Sequence, residues 1–411
     1  MTNRLLFLIP FLAALNGVNF VFFELNIRLD QVIVVILMLI LIWNHIFRQI
    51  KIKIDFVGKL LIAYLVISFI STFMFAPDLK YSIIQTINIS SSASVYFVLI
   101  NFLNNDYIKR KYLRYFLFSG IIFIGYGVVI FFLSLLGMNI YGVNLADNLS
   151  SEYGVFATMR EPNIYGSFSL VYFMLSLTIL VTVQKELIKF KRIITYCFII
   201  SMLGVFLSFT RGVWIGALIG TAILLLTSIK YNFSTKFRTK LGLYILVIIG
   251  VFFIVNNLVP NFYFTHRLSI LTDYQGGTGA YRLLLWEEAL HNFLSSPILG
   301  NGTYSFASLC ATSIGGESAW IGNFILILLH DTGVIGTVLF LIMILVLLKN
   351  NLSKLKNAIL INHFNASVLL GFCIALVSML IAFIFTTAFS YVYSWSIFGL
   401  ISVYGSLYKI K

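Results

Sequence analysis

The sequence predicts an all-α, polytopic membrane protein with about 12 transmembrane helices and one long outer loop that contains short helices. Three observations lead there. The 411 residues are 60% hydrophobic and 16% aromatic but only 10% charged, a balance that excludes a soluble domain of this length. Apolar runs long enough to cross a bilayer recur from end to end. Basic residues gather in alternate loops between those runs, as the positive-inside rule requires.

The predicted spans fall at 5–24, 31–47, 57–76, 81–103, 115–137, 164–184, 193–209, 212–229, 241–258, 333–348, 366–388 and 391–408. The first carries Arg4 and small residues at Ala13 and Ala14, as a signal peptide would. Its apolar run continues to Phe23, however, which is span length. Most connections are short. Residues 138–163, between the fifth and sixth spans, and 259–332, between the ninth and tenth, are the exceptions. The longer one includes Gln275-Gly276-Gly277-Thr278-Gly279 and Gly300-Asn301-Gly302. Long structured loops among otherwise minimal ones are where function concentrates. Residues 1–411 thus read as a single transmembrane domain, with 259–332 as an extracytoplasmic loop within it. No cytoplasmic loop is large enough to bind a nucleotide as a domain.

The net charge of +14 is a topology signal rather than a nucleic-acid footprint. The basic loops are Arg48 to Lys59, Lys109 to Arg114, Lys185 to Arg192, Lys230 to Lys240 and Lys349 to Lys356. Together with Arg4, Lys409 and Lys411 they assign both termini to the cytoplasm. Arg28, Lys80, Arg160, Arg211, Arg267 and Arg282 fall on the other face, which also holds most of the acids. Cations kept on that face call for an anion to hold. Cys197, Cys310 and Cys373 have no metal-ligand spacing, and no CxxC, HExxH or P-loop occurs, so neither a metal nor a cofactor is expected.

Four stretches carry candidate chemistry. Arg160-Glu161-Pro162-Asn163 opens the sixth span, where Pro suits a first helical turn and the helix N-terminus favours an anion; a capped start with a local Arg–Glu pair is the ordinary alternative. Thr210-Arg211-Gly212 joins two spans with almost no loop, pinning Arg211 at the membrane boundary; a snorkelling arginine would look the same. Gly212 and Gly216 permit close helix approach. From Tyr281 to Leu294, helical spacing puts Glu287, Glu288, His291 and Asn292 on one arc with Leu284. Arg282 falls among Leu285, Trp286, Ala289, Leu290 and Phe293 on the other. An inward-facing arginine needs a charged partner. Last, Gly322-Asn323 precedes Gly333-Val334-Ile335-Gly336 by nine residues, and on a helix Asn323, Ile327 and His330 share a face.

The Thr210-Arg211-Gly212 turn, the Arg282…Trp286…Pro297…Gly300-Asn301-Gly302 stretch and Asn323 with its gap to Gly333 together resemble the O-antigen polymerase and O-antigen ligase superfamily. The resemblance covers roughly residues 150–340. It implies a membrane glycosyltransferase of the bacterial inner membrane that uses a polyprenyl-diphosphate-linked oligosaccharide, with no nucleotide sugar and no obligatory metal. A flippase and a chain-length regulator are the protein partners it implies, beside membrane lipid. On this reading Arg211, Arg282 and Arg160 bind the diphosphate, and Glu161, Glu317 or His330 accepts the proton of the attacking hydroxyl. Arg267, Asn163, Asn323, Trp286 and Tyr281 contribute to substrate binding. Ligases of this family usually carry His just before the motif Asn; Gly322 stands there instead, which favours polymerase over ligase. A polysaccharide transporter is the alternative of another class, but its charges would sit near the bilayer midplane.

Overall fold

The computed structural model describes residues 2–22, 25–144, 154–182, 188–230, 239, 242–250, 253, 278–310, 320–355 and 363–406. Among these, nine helices are long and apolar enough to cross a membrane, and strand is limited to two short hairpins. The chain is therefore an all-α polytopic membrane protein.

The first predicted span, 5–24, is corrected. Helix α1 (Thr2–Leu12) contains Pro10, which has no N–H for the helical ladder, and the chain turns soon after it. Strand β1 (Asn19–Phe22) then pairs antiparallel with β2 (Leu25–Arg28), Asn19 opposite Arg28. Two spans follow as expected, α2 (Leu29–Arg48) and α3 (Phe56–Phe75). The fourth divides into α4 (Leu79–Ala93) and α5 (Val95–Phe102). Serine hydroxyls bond back to the chain around that break, Ser90 Oγ to the Thr86 carbonyl at 2.7 Å and Ser94 Oγ to the Ser91 carbonyl at 2.6 Å. Such bonds compete with the helical ladder.

Next come α6 (Asp106–Leu135), a second hairpin β3 (Val143–Asn144) with β4 (Gly154–Val155), α7 (Pro162–Thr182), α8 (Ile188–Leu207) and α9 (Arg211–Lys230). Residues 242–250 form helix α10 within the predicted ninth span. The long loop contributes α11 (Thr278–Ser295) and the single turn α12 (Phe306–Leu309). Then follow α13 (Phe324–Leu352), α14 (His363–Ala382) and α15 (Val392–Gly405). The tenth span therefore starts nine residues before its predicted position at 333.

Helix α7 is apolar all round and buried along its length, and α6, α8, α9 and α14 pack about it. Gly212 and Gly216 meet α14 and the chain just after it, as the sequence predicts. A Cβ at Gly216 would lie 2.5 Å from the Ser378 carbonyl oxygen, and one at Gly212 2.8 Å from the Phe385 ring.

Helix α13 is broken at Gly333 (φ 61°, ψ −164°). The break is filled by the loop from Pro297 to Gly302. Asn301 N–H donates to the His330 carbonyl (2.7 Å), Gly302 N–H to the Asp331 carbonyl (3.2 Å), and Val334 N–H to the Pro297 carbonyl (2.9 Å). From α3, Ser71 Oγ donates to the Asp331 carbonyl at 2.7 Å. Gly300 (φ 77°) touches the same backbone so closely that a Cβ there would lie 2.6 Å from Thr332 N and Gly333 N. The two glycine motifs read in the sequence are thus the two halves of one junction. A helix interrupted inside a membrane protein persists where other groups satisfy the freed backbone.

Candidate active site

A cleft of about 590 Å³ opens beside this junction. Its walls come from α4 (Tyr81, Gln85), the residues just before α7 (Arg160, Glu161), α11 (Tyr281, Arg282) and α13 (Ile327, Asp331), and the segment after α14 closes it. A second cavity lies at the far end of α13, beside Asn350 and Asn351. At about 1.5 Å per residue, Asp331 and Asn350 are roughly 30 Å apart along the helix, the thickness of a bilayer's hydrocarbon core. The two cavities therefore lie toward opposite ends of α13, about one hydrocarbon-core thickness apart.

Arg282 lies on the inward face of α11, which buries Leu285 and Ala289, as the sequence predicts. Burial pushes its pKa down, repulsion from Arg211 adds to this, and Glu161 opposes it. Among the described residues it has no hydrogen bond or ion pair. Arg211 does not line the cleft itself, but its charge reaches Arg282. The turn before it is as tight as expected. Phe209 takes a left-handed conformation (φ 51°), and Trp214 Nε1 donates to the Val205 carbonyl at 3.0 Å, tying α9 back to α8. Arg160 is exposed on the cleft wall, where its charge and that of Arg28 counter the burial that raises the Tyr391 phenol. Asn163 Nδ2 contacts Glu161 Oε2 at 3.5 Å, and both residues line the cleft.

Other predicted residues have structural roles. Trp286 Nε1 donates to the Ile321 carbonyl at 2.8 Å, fixing α11 against the segment before α13. Asn323 caps α13, its side-chain oxygen accepting from Ile325 N–H (3.0 Å) and Leu326 N–H (3.3 Å). Neither lines the cleft. Tyr281 does, and is 43% exposed. His330 is wholly buried. Its Nδ1 lies 2.9 Å from Asp331 Oδ1, its ring packs edge-on to Phe306, and Nε2 has no partner among the described residues. Asp331 reaches the cleft and accepts from Tyr304 N–H at 3.1 Å. Arg267 and Glu317 lie outside the described residues. Asn292 departs from expectation: its Nδ2 is buried, not solvated, and its carbonyl accepts from Asn301 Nδ2 at 2.8 Å.

Arg28 was not among the residues singled out for the site, yet it lines the cleft. It pairs with Asp30 (3.2 Å), donates to Ser92 Oγ (3.0 Å) and the Ser390 carbonyl, and lies 4.7 Å from the Tyr391 ring centre. Its charge is thus committed to holding β2, α4 and the 385–391 segment together. The Asp30 two residues on was the signal in the sequence; the other partners are 64 or more residues away. Among the described residues no group of three or more His, Cys, Asp or Glu is placed to hold a metal ion.

The cleft thus brings together Arg160, Arg282 and Glu161, with the charge of Arg211 reaching Arg282 and an Asp331 already engaged by His330 and Tyr304. It also has room for a sugar-phosphate. Such a site suits a multiply charged anion with polar substituents.

Residues 196–341 match the O-Antigen ligase family model. The match runs from α8 through the Arg211 turn and Arg282 to the broken part of α13, so the resemblance to the O-antigen polymerase and ligase superfamily holds over the segment that supplies the α11 and α13 sides of the cleft. No curated protein matches the chain. Arg160 and Glu161 lie outside the O-antigen ligase segment but face it across the cleft. At Gly322, where ligases usually carry His, φ is +62°, a conformation that strains any side-chain-bearing residue.

Proposed function

We propose that this protein is a polysaccharide polymerase that joins polyprenyl-diphosphate-linked oligosaccharide units at the outer face of the bacterial inner membrane. The observation that carries this reading is Arg282 with Glu161 in the cleft, within reach of the charge of Arg211. Arg282 and Arg211 bind the diphosphate oxygens of the donor, with Arg160 as a third contact. As the glycosidic C–O bond breaks, its electron pair moves onto the diphosphate, and cations already in place stabilise that charge without reorganising. A hydroxyl of the acceptor glycan attacks the same carbon and gives its proton to Glu161. Of the three base candidates, Glu161 faces the cleft, whereas His330 meets it only through Asp331. The cleft-bearing end carries the arginines and the opposite end the lysine-rich loops, which supports cytoplasmic termini. A flippase supplying the donor and a chain-length regulator complete the system on this reading.

The name of the matched family supports a second reading, the ligase, with the same donor chemistry and a lipid A core or other final acceptor. Gly322 favours the polymerase. The chromosomal deletion separates the two: single units on the final acceptor mark a lost polymerase, and free lipid-linked polymer marks a lost ligase. The test of the chemistry is complementation of that deletion with Arg282→Ala. Loss of long-chain product on a gel is expected, and unchanged product from a well-expressed variant would overturn the diphosphate reading.

A further inference from the structure

The second cavity, about 440 Å³ at the opposite end of the bundle, has no part in the chemistry above. Lys51, Lys53, Lys109 and Lys354 line it, against one acid, Asp55. They come from the segment before α3, the first turn of α6 and the end of α13, so the fold collects them from three places. Asp55 is already engaged, since its carboxylate caps α3 through Gly58 N–H (2.8 Å) and accepts from Tyr96 Oη (2.7 and 2.9 Å).

Lys109 is the unusual member. Its side chain is only 7% exposed, and its Nζ is 3.9 Å from Asp106, a loose pair with no hydrogen bond. A buried ammonium that faces a cavity without close acceptors is held at a cost unless something fills the cavity. Lys354 donates to the Gly405 carbonyl at 3.3 Å, and burial pushes its pKa down. Part of the floor and rim is apolar, Val57, Ile100, Leu103 and Phe56, the last 58% exposed, and Asn101, Asn104, Asn350 and Asn351 add amide groups beside the lysines. Cationic walls over a partly apolar floor at the end of a membrane-spanning helix fit an amphiphile with an anionic head.

We infer that this cavity is a second binding site, which takes the phosphate group of an anionic phospholipid and ties the start of α6 to the ends of α13 and α15. Free phosphate shares the recognition chemistry but has no use for the apolar floor. The full chain, purified in neutral detergent, is titrated with phosphatidylglycerol, with phosphatidylcholine and with inorganic phosphate, following its thermal unfolding midpoint. Phosphatidylglycerol is expected to raise the midpoint, and phosphatidylcholine to do so far less. Lys354→Gln, at a partly exposed position that leaves the core intact, and Lys109→Met should each raise the half-saturating concentration about tenfold, the effect of one charge-assisted hydrogen bond. Lys59→Gln, an exposed change near the same end but outside the cavity, should not. A lysine-dependent response to inorganic phosphate alone would keep the anion site and assign it to a soluble ligand. Equal responses to the two lipids, or a phosphatidylglycerol response untouched by Lys354→Gln, would overturn the inference.

Discussion

Gly300→Ala places a methyl group at the junction on which the cleft depends. Two costs add. At φ 77° an L-residue is strained by about 1–2 kcal/mol. The new Cβ would also lie 2.6 Å from backbone atoms of residues 331–333, which have no flexible end to swing aside. The loop must withdraw, stretching the bonds from Asn301 N–H and Gly302 N–H to the carbonyls of His330 and Asp331, each worth about 0.5–1.5 kcal/mol net. The total is about 2–5 kcal/mol, at the upper end of single-substitution effects. Unfolding in mixed micelles of increasing SDS fraction, read by tryptophan fluorescence, measures it, because Trp320 shares a cavity wall with Asp331 and Thr332. Gly250→Ala is the control: nothing lies within 4 Å of its Cβ position, and alanine in a helix is neutral or favourable by up to about 1 kcal/mol. Gly300→Ala should also lose polymer, since the α11 and α13 walls that carry Arg282 and Asp331 would no longer be held in register. Gly300→Ala with wild-type stability and product would refute this account of the broken helix.

Arg282→Lys keeps the charge but loses the planar fork. Polymer yield should fall about 10- to 100-fold at equal expression, the loss of about 1.5–3 kcal/mol from a charged hydrogen bond. Asp331→Asn removes the carboxylate that meets His330 Nδ1 and weakens the acceptor for Tyr304 N–H. The same SDS titration should record a loss of about 1–3 kcal/mol. Glu161→Gln should abolish polymer while leaving donor binding intact, as a base variant does and a binding variant does not.

Much of this was legible in the sequence because it depends on local pattern. The Arg211 turn follows from two spans with no room for a loop, and the inward face of Arg282 follows from helical spacing. What escaped was set by distant contacts. Residues 19–28 are apolar enough to extend a helix, and periodicity in so short a run does not separate strand from helix; Asn16-Gly17 was the turn signal. Arg28 showed only Asp30 nearby, while Ser92 and Ser390 are fixed by the fold. Asn292 read as a water-facing residue because its helical arc is polar, yet the 297–302 loop folds back over it. The spacing from Asn323 to Gly333 marked a motif without revealing that Gly300 completes it.

The central claim is that Arg211 and Arg282 hold a diphosphate. Equilibrium binding of a polyprenyl diphosphate to the purified protein in nanodiscs tests it most directly, with Arg211→Ala, Arg282→Ala and Glu161→Gln measured alongside. Each arginine variant should bind at least about tenfold more weakly, the loss of one charged contact, and Glu161→Gln should bind at least as well as the wild type. Wild-type affinity in both arginine variants would contradict the claim.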